Sequence, residues 1–155
     1  MLLFFFCFYS KIKSMMQSCF SKNEGETEEI GKKVAGEVLP NEFVALYGPM
    51  GAGKTAFARG FAGTLVPSAA VSSPTYALLN TYSDEKHTVH HFDMYRIASE
   101  DDLISTGFYE LVGNGICLCE WPENIPFALP DSFFKITFEV ISENERTIHV
   151  ERVGP

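Results

Sequence analysis

The clearest chemical signal in this sequence lies at residues 48–55, where GPMGAGKT fits the spacing G-x-x-x-x-G-K-[ST]. Glycines suit a phosphate cradle because successive backbone N–H groups must turn inward around the oxygens, where a Cβ would clash or forbid the dihedral angles. In this motif Lys54 is expected to reach the β and γ phosphates, and the Thr55 hydroxyl is expected to ligate Mg²⁺. The spacing therefore predicts a nucleotide site built as strand, loop and helix, with the helix N-terminus facing the same anion.

The segments on either side of the motif agree with that order. Residues 42–47 (EFVALY) form a short apolar run typical of a buried parallel strand. Downstream, residues 54–65 place apolar side chains on one face of a predicted helix. We therefore predict phosphate binding by the loop and the first helical turn, through Gly48, Gly51, Ala52, Gly53, Lys54, Thr55 and Ala56.

Two acidic residues end apolar runs elsewhere in the chain. Hydrolysis at such a site needs a carboxylate on the metal side and a group that orients or deprotonates the attacking water. Glu120 follows ICLC, in the position where many P-loop enzymes place the acid that reaches the metal, and Asp93 closes VHHFD. A cap or a salt bridge is the alternative role for each acid. We predict catalytic roles for Asp93, Glu120 and Lys54, and a metal site formed by Thr55 and Glu120.

Two neighbouring histidines and the single tryptophan leave several roles open. His90 and His91 point to opposite faces if they lie on a strand, so they are not expected to ligate one metal together. One of them could orient a neighbour or contact phosphate, and a packing or surface role is the alternative. Trp121 could line the nucleotide site, form part of a partner surface or anchor the loop at the edge of the sheet.

The remaining elements are predicted from hydrophobic periodicity and turn residues. Helices are expected over residues 27–39 and 99–111, the second with Ser99 as its N-cap. One hairpin is expected from strands at residues 76–82 and 88–92, and a second from strands at residues 133–141 and 146–153. A single strand is expected over residues 116–119. Parallel strands near the glycine motif combined with hairpins predict an α/β fold of the P-loop NTPase type. It has three layers, with helices flanking a mixed, mainly parallel central sheet.

Composition and charge limit the partners of this chain. With 155 residues, 46% of them hydrophobic, the chain can form one domain with a sizeable core. It carries 12 Lys and Arg against 20 Asp and Glu, a formal net charge of -8, and it has no basic run. Because phosphate neutralisation by Lys and Arg supplies most nucleic-acid affinity, a partner is expected to hold any RNA that is involved.

The four cysteines do not form a recognisable metal or redox motif. Cys7, Cys19, Cys117 and Cys119 lack zinc-site spacing and include no CxxC pair. We expect Cys117 and Cys119 to act as small hydrophobic residues on a strand, with redox or metal roles as the alternative. This cysteine usage fits a reduced, cytoplasmic setting.

The N-terminal residues 1–20 are treated as an extension, and the domain is predicted to span residues 21–155. The apolar stretch at residues 2–9 is shorter than the roughly 20 residues that cross a bilayer, and it lacks the basic segment that precedes a secretory signal. A weak membrane anchor or a segment packed on the domain are two interpretations. We favour a third, an upstream start codon with the natural start at Met15 or Met16, and we expect no stable membrane association.

Taken together, the motifs closely resemble those of the TsaE family, small bacterial P-loop ATPases of tRNA threonylcarbamoyladenosine biosynthesis. The resemblance runs from about residue 21 to the C-terminus. GAGKT alone is unspecific, but its combination with SPTY, HFDMYR and EWPE is highly specific. The segments that carry it are, in chain order, ETEEIGKKVA, VALYGPMGAGKTAFARGFA, SSPTYALLNTY, HHFDMYR, ISTGFYE and ICLCEWPENI.

The resemblance implies a function and a role for each motif. It implies ATP and Mg²⁺ as cofactors, with Lys54 on phosphate, Thr55 and Glu120 at Mg²⁺, and Asp93 as a base or water-positioning group. The SPT segment, residues 73–75, looks like the mobile switch that senses the γ-phosphate. The implied partners are TsaB and TsaD, which modify the adenosine beside the anticodon, while the ATPase resets the complex and meets tRNA only through it.

The chain departs from the family pattern at Pro49, Met50 and Ala56, and other functions use the same cradle. A nucleotide or nucleoside kinase is expected to clamp phosphates with several lid arginines, whereas this chain has four arginines in all. A GTPase is expected to carry N-K-x-D, which is absent from the sequence. A nucleotide sensor with negligible hydrolysis remains an alternative from a different class.

Overall fold

A seven-stranded mixed sheet forms the middle layer of the protein in the computed structural model, which describes residues 16–155. The strands are β1 Gln17–Ser21, β2 Phe43–Tyr47, β3 Leu79–Ser83, β4 Thr88–Asp93, β5 Ile116–Glu120, β6 Phe133–Val140 and β7 Arg146–Val153. The helices are α1 Glu24–Ala35, α2 Lys54–Leu65, α3 Glu100–Ser105 and α4 Phe108–Leu111, with a short 3-10 helix at Pro122–Asn124.

The central strands are parallel and the outer ones are antiparallel. The order across the sheet is β1-β7-β6-β2-β5-β4-β3. Strand β2 pairs in parallel with β5 and β6, and β5 pairs in parallel with β4. The antiparallel pairs are β1 with β7, β6 with β7, and β3 with β4. This arrangement confirms the predicted α/β class and both predicted hairpins.

Side chains of β2 alternate between two separate cores, which explains why this strand is apolar throughout. Val44 and Leu46 pack into the core on the α1 and α2 side, whereas Phe43 and Ala45 pack into the core that includes residues of α3 and α4. A central strand that is covered on both faces has hydrophobic residues at successive positions, because both sets of side chains are buried. The molecule therefore has the predicted three layers, helix, sheet and helix.

Helices α1 and α2 lie unusually close to one another because glycines form their contact. A Cβ on Gly60 would lie 2.0 Å from the Glu28 carbonyl oxygen, and one on Gly31 would lie 2.3 Å from the Phe57 carbonyl oxygen. At the N-terminal part of α1, Arg59 of α2 pairs with Glu24 and Glu28. This contact places the start of α1 beside the loop that precedes α2.

Local chemistry explains where the helices depart from the predicted bounds. Helix α1 starts at Glu24 because the Asn23 side chain accepts a hydrogen bond from Glu26 N, a better start signal than the hydrophobic periodicity used for prediction. The predicted helix 99–111 is two helices, since Gly107 adopts a left-handed conformation with φ 78°. The predicted Ser99 N-cap is confirmed, and Asp102 completes a capping box with it.

The sheet begins earlier in the chain than the predicted domain start at residue 21. Residues Gln17–Ser21 form β1 and pair with β7 along their whole length, and Cys19 packs against the core. This short strand is not apolar enough to be recognised by hydrophobic periodicity, which is why residues 17–20 were predicted to belong to the extension. The interpretations of residues 1–15 lie outside the described residues. Between residues 16 and 155, no helix is long and apolar enough to cross a membrane.

Candidate functional site

A cavity of about 720 Å³ opens where β2, β4 and β5 end, at the carboxyl edge of the parallel strands. Such crevices are where open α/β sheets bind ligands. The cavity is lined by Gly51, Ala52, Gly53, Lys54, Thr55, Ala56, Asp93 and Glu120, which are all the predicted site residues except Gly48. Residues from three separate segments of the sequence therefore meet at one site.

The loop between β2 and α2 has the conformation that its glycines permit. Gly53 is the N-cap of α2 with φ 103°, a left-handed conformation that costs a side-chain-bearing residue free energy. No side chain caps the helix start in the described chain, so its first N–H groups face the cavity without a competing acceptor from a side chain. Gly48 lies behind the loop, where an added Cβ would be 2.9 Å from Phe138 Cβ.

The Lys54 ammonium group is held between the loop and an aromatic ring. Its Nζ donates to the Gly48 carbonyl oxygen at 2.7 Å and lies 3.5 Å from the centroid of the Trp121 ring. The residue is 5% exposed, and burial lowers the Lys54 pKa, while Glu120, Glu123 and Asp93 oppose that shift. The buried Lys54 cation suits a polyanionic ligand, and the nearby acids suit a metal cation that accompanies such a ligand.

Asp93 and Glu120 lie side by side at the ends of neighbouring strands. They are register partners in the β4–β5 pair, and both are 3% exposed. Asp93 Oδ1 accepts a hydrogen bond from Tyr95 N at 2.9 Å, and Asp93 Oδ2 accepts one from Thr75 Oγ1 at 3.1 Å. These contacts orient the Asp93 carboxylate and connect it to the segment at residues 73–75.

Glu120 has a buried partner whose role the sequence left open. His91 Nε2 donates to Glu120 Oε1 at 2.8 Å, and the His91 side chain is fully buried. His91 Nδ1 has no hydrogen-bond partner in the described part of the chain. His90, on the opposite face of β4, instead contacts Thr81 Oγ1 and the Asn114 carbonyl oxygen. The structure thus separates an orienting role for His91 from a packing role for His90.

Trp121 forms part of the cavity wall, which favours the first of its three predicted roles. Its backbone is left-handed with φ 57°, an unusual conformation for a bulky residue, and unusual conformations of this kind cluster at functional sites. The ring packs on Tyr95 with centroids 5.0 Å apart and covers the Lys54 ammonium group.

The predicted switch segment reaches the same cavity. Ser73 and Thr75 both line it, and their hydroxyl oxygens are 2.7 Å apart. The following residues form a turn in which Leu78 N donates to the Pro74 carbonyl oxygen at 2.6 Å, so β3 starts at residue 79 rather than 76. The segment therefore touches the site through Thr75, its link to Asp93.

Sequence reasoning missed the contribution of the β6–β7 hairpin. Glu143, Asn144 and Arg146 line the cavity, and Arg146 donates hydrogen bonds to the carbonyl oxygens of Gly51 and Ala52. No sequence signal indicates this contact, because 94 positions separate Arg146 from Ala52. Asn23 and Thr27 at the start of α1 line the cavity as well.

The oxygen donors in the cavity fit Mg²⁺ better than a transition metal. Residues 16–155 contain no group of three or more His, Cys, Asp or Glu side chains that could hold a metal ion by themselves. Mg²⁺ prefers oxygen, and it is usually bound through one or two carboxylates together with substrate phosphates and waters. Thr55 and Glu120 could supply such a partial set from the protein.

Burial explains why the two cysteines of β5 are not part of the chemistry. It raises the pKa of the Cys117 thiol to about 12, and it raises the pKa of the Cys119 thiol well above its usual value. Both residues pack in the hydrophobic core on the α3 and α4 side of the sheet. A thiol that stays protonated is a poor nucleophile and a poor metal ligand, so these residues serve packing.

The fold and the strand–glycine loop–helix unit define a P-loop-type α/β protein. Residues 21–148 match the family described as threonylcarbamoyl adenosine biosynthesis protein TsaE, and this chain belongs to that family. The tRNA threonylcarbamoyladenosine biosynthesis protein TsaE of Rickettsia felis is 37% identical over 128 residues, which are 80% of this chain and 73% of that protein.

A second relative and a solved structure support the same assignment. The protein of the same name from Bacillus subtilis is 35% identical over 132 residues, 85% of this chain and 83% of that protein. The crystal structure of YdiB from Bacillus subtilis is similar in fold, with a TM-score of 0.71 and 27% identity over 92% of this chain and 88% of that one.

Proposed function

We propose that this protein is a Mg²⁺-dependent ATPase that supports threonylcarbamoylation of the adenosine next to the anticodon in tRNA. The observation that carries the proposal is one cavity that joins the glycine loop, Lys54, Asp93 and Glu120 in a member of the TsaE family. The family and its relatives bear the name of this biosynthesis.

Each residue has a defined task in binding and hydrolysis. The loop amides and the N-terminus of α2 bind the phosphates, and Lys54 exchanges the Gly48 carbonyl oxygen for phosphate oxygens. Thr55 and Glu120 would hold Mg²⁺, which would supply positive charge that neutralises the phosphates. Asp93 orients the attacking water and accepts its proton, in the manner of a general base.

The segment at residues 73–75 couples the site to the outside of the molecule. Thr75 reaches Asp93 directly, so a movement of this segment changes the contacts of the proposed base. Tyr76, the next residue, is 86% exposed and stacks against the Arg96 guanidinium at 4.7 Å. A partner that docks here can therefore alter hydrolysis, which is the behaviour expected of a switch.

The partners follow from the family and from the charge. We propose that the protein works with TsaB and TsaD in the cytoplasm, and that it meets tRNA only through that complex. A formal net charge of -8 does not favour direct binding to an RNA backbone. An acidic subunit that modifies the activity of an RNA-holding pair needs no basic groove.

The arginines argue against the kinase alternative. Arg59 and Arg152 are paired with acidic side chains, and Arg146 binds backbone carbonyl oxygens. Among the four arginines, only Arg96 makes no side-chain hydrogen bond or ion pair to a protein oxygen within residues 16–155. A kinase lid with several free phosphate-binding arginines is therefore not formed by the described chain.

The proposal is tested by ATP hydrolysis with the purified protein, alone and together with TsaB, TsaD and tRNA. The variants are Glu120→Gln and Asp93→Asn, with Glu110→Gln on an exposed helix as the matched control. We expect slow hydrolysis alone, a rise with the partners, and a loss of about 100-fold or more in both site variants while nucleotide binding persists. The control variant should behave like the wild-type protein.

Two outcomes would contradict this function. Stimulation by a nucleoside or small metabolite, with no response to TsaB, TsaD and tRNA, would indicate a kinase. Nucleotide binding with no hydrolysis above background under any of these conditions would indicate a sensor.

A further inference from the structure

Arg146 connects the last hairpin of the chain to the glycine loop through backbone carbonyl groups only. Its Nε donates to the Ala52 carbonyl oxygen at 3.0 Å, and its Nη2 donates to the Gly51 carbonyl oxygen at 3.1 Å. Its Nη1 donates to carbonyl oxygens of the β6–β7 turn, those of Ser142, Glu143 and Glu145. One planar guanidinium group thus holds two segments together.

The two loop carbonyls belong to peptide units formed by Gly51, Ala52 and Gly53, which line the cavity. In a planar trans peptide the C=O and N–H bonds point in opposite directions. The Gly51 carbonyl shares its peptide unit with Ala52 N–H, and the Ala52 carbonyl shares its unit with Gly53 N–H. By holding both carbonyl oxygens, Arg146 directs both N–H groups away from its guanidinium group and toward the inside of the loop. Ala52 N–H donates to the Pro49 carbonyl oxygen at 3.2 Å, which closes the loop, so Gly53 N–H is the amide of the two that remains for a phosphate.

A cation bound to these carbonyls also strengthens the opposite ends of the peptide units. Hydrogen bonds in a chain polarise one another, so a positive charge at C=O makes the N–H of the same amide a better donor. No ion pair in the described chain involves Arg146, so its charge is not neutralised by a carboxylate. The positive charge of Arg146 therefore acts on the loop from the wall of the cavity.

The hairpin does not depend on these loop contacts for its own closure. Strands β6 and β7 pair over eight residues each, from Phe133 with Val153 to Val140 with Arg146. The turn is closed by hydrogen bonds from Ile141 N and Ser142 N to the Glu145 carbonyl oxygen. The contacts from Arg146 to Gly51 and Ala52 are therefore additional to what the hairpin requires.

We propose that Arg146 is a positioning residue for phosphate binding, which fixes the loop from its carbonyl side and orients the Gly53 amide without contacting the phosphate. This inference rests on the proposed function, since it assumes that the loop binds a nucleotide. The inference implies that the β6–β7 hairpin contributes to nucleotide affinity. Arginine suits this role because its rigid fork addresses two adjacent carbonyls and the turn at once, which a lysine ammonium group does not.

The test compares Arg146→Lys with Arg152→Lys, a matched control on the same strand whose guanidinium pairs with Glu42 outside the cavity. Calorimetry with ADP, with and without Mg²⁺, measures affinity in the wild-type protein and in both variants. We expect Arg146→Lys to weaken ADP binding about tenfold or more and to raise the KM for ATP with kcat changed less than about twofold. Arg152→Lys should bind ADP like the wild-type protein.

Amide hydrogen exchange distinguishes positioning from a general structural role. In Arg146→Lys we expect faster exchange at residues 51–53, with β6 and β7 protected as in the wild-type protein. Unchanged ADP affinity in Arg146→Lys would overturn the inference, and so would a general loss of protection across β6 and β7. If the wild-type protein binds no ADP, the proposed function fails and this inference fails with it, whereas wild-type binding without an Arg146 effect refutes the inference alone.

Discussion

At the scale of single residues, His91 is the side chain that most directly orients Glu120. Its Nε2 contacts the carboxylate, and both groups are buried, so Glu120 has little freedom to rotate. Groups that hold a metal ligand in place typically change metal affinity 10- to 100-fold when they are removed. The contact therefore matters for any ion that Glu120 binds.

We expect His91→Ala to raise the Mg²⁺ concentration needed for half-maximal ATP binding about tenfold. The measurement is a Mg²⁺ titration of ATP affinity, with hydrolysis as a second readout. His90→Ala is the control, because this neighbour is also buried but contacts Thr81 and the Asn114 backbone on the opposite face. Equal shifts in the two variants would show that loss of core packing, rather than orientation of Glu120, explains the effect.

At the scale of secondary structure elements, the contact between α1 and α2 determines where the start of α1 lies relative to the glycine loop. Gly60 and Gly63 lie on the same helix, but only Gly60 faces the backbone of α1. A Cβ on Gly63 would have no neighbour within 4 Å. Substitution by alanine is therefore expected to have opposite effects on the stability of the protein at Gly60 and at Gly63.

We expect Gly60→Ala to destabilise the protein by about 3 kcal/mol, because its Cβ would overlap the Glu28 carbonyl group and force the helices apart. Gly63→Ala should instead stabilise it by roughly 0.5 to 1 kcal/mol, since alanine favours the helix over glycine. Chemical denaturation followed by circular dichroism measures both. Similar stabilities for the two variants would mean that α1 can move away without cost.

At the scale of the whole molecule, β1 joins the start of the described chain to its last strand. Each of its five residues pairs with β7, and Ser21 is the register partner of Arg146. Ser21 is also buried, with its hydroxyl 2.8 Å from Thr27 Oγ1. The N-terminal strand therefore supports the hairpin that holds the glycine loop.

We expect a shortened chain that begins at Lys22 to melt roughly 5 to 10 °C below one that begins at Met16, because it exposes the edge of β7. The Lys22 chain should also bind ADP more weakly, through its effect on Arg146. Differential scanning calorimetry and ADP titration of the two chains provide the comparison. Equal melting temperatures would show that β1 adds nothing to the stability of the sheet.

Much of the fold was predictable because its signals are local. The apolar run before the glycine motif, the helical periodicity after it and the polar turns of both hairpins each involve neighbouring residues. Asp93 and Glu120 were predicted because each ends an apolar run, and the parallel pairing of β4 with β5 then places them at one edge of the sheet. The helix at 99–111 was predicted too long, because hydrophobic periodicity does not show that Gly107 breaks it.

The sequence by itself determined the α/β class, the glycine loop and the acids that accompany it, because residue type and spacing decide backbone conformation over a few positions. Only the tertiary structure decided which distant groups meet there: His91 with Glu120, Trp121 over Lys54, and Arg146 at the carbonyl groups of the loop. The order of the strands determines those contacts. Packing can bring together residues that are far apart in the chain. A local sequence pattern does not identify which distant residues will be in contact.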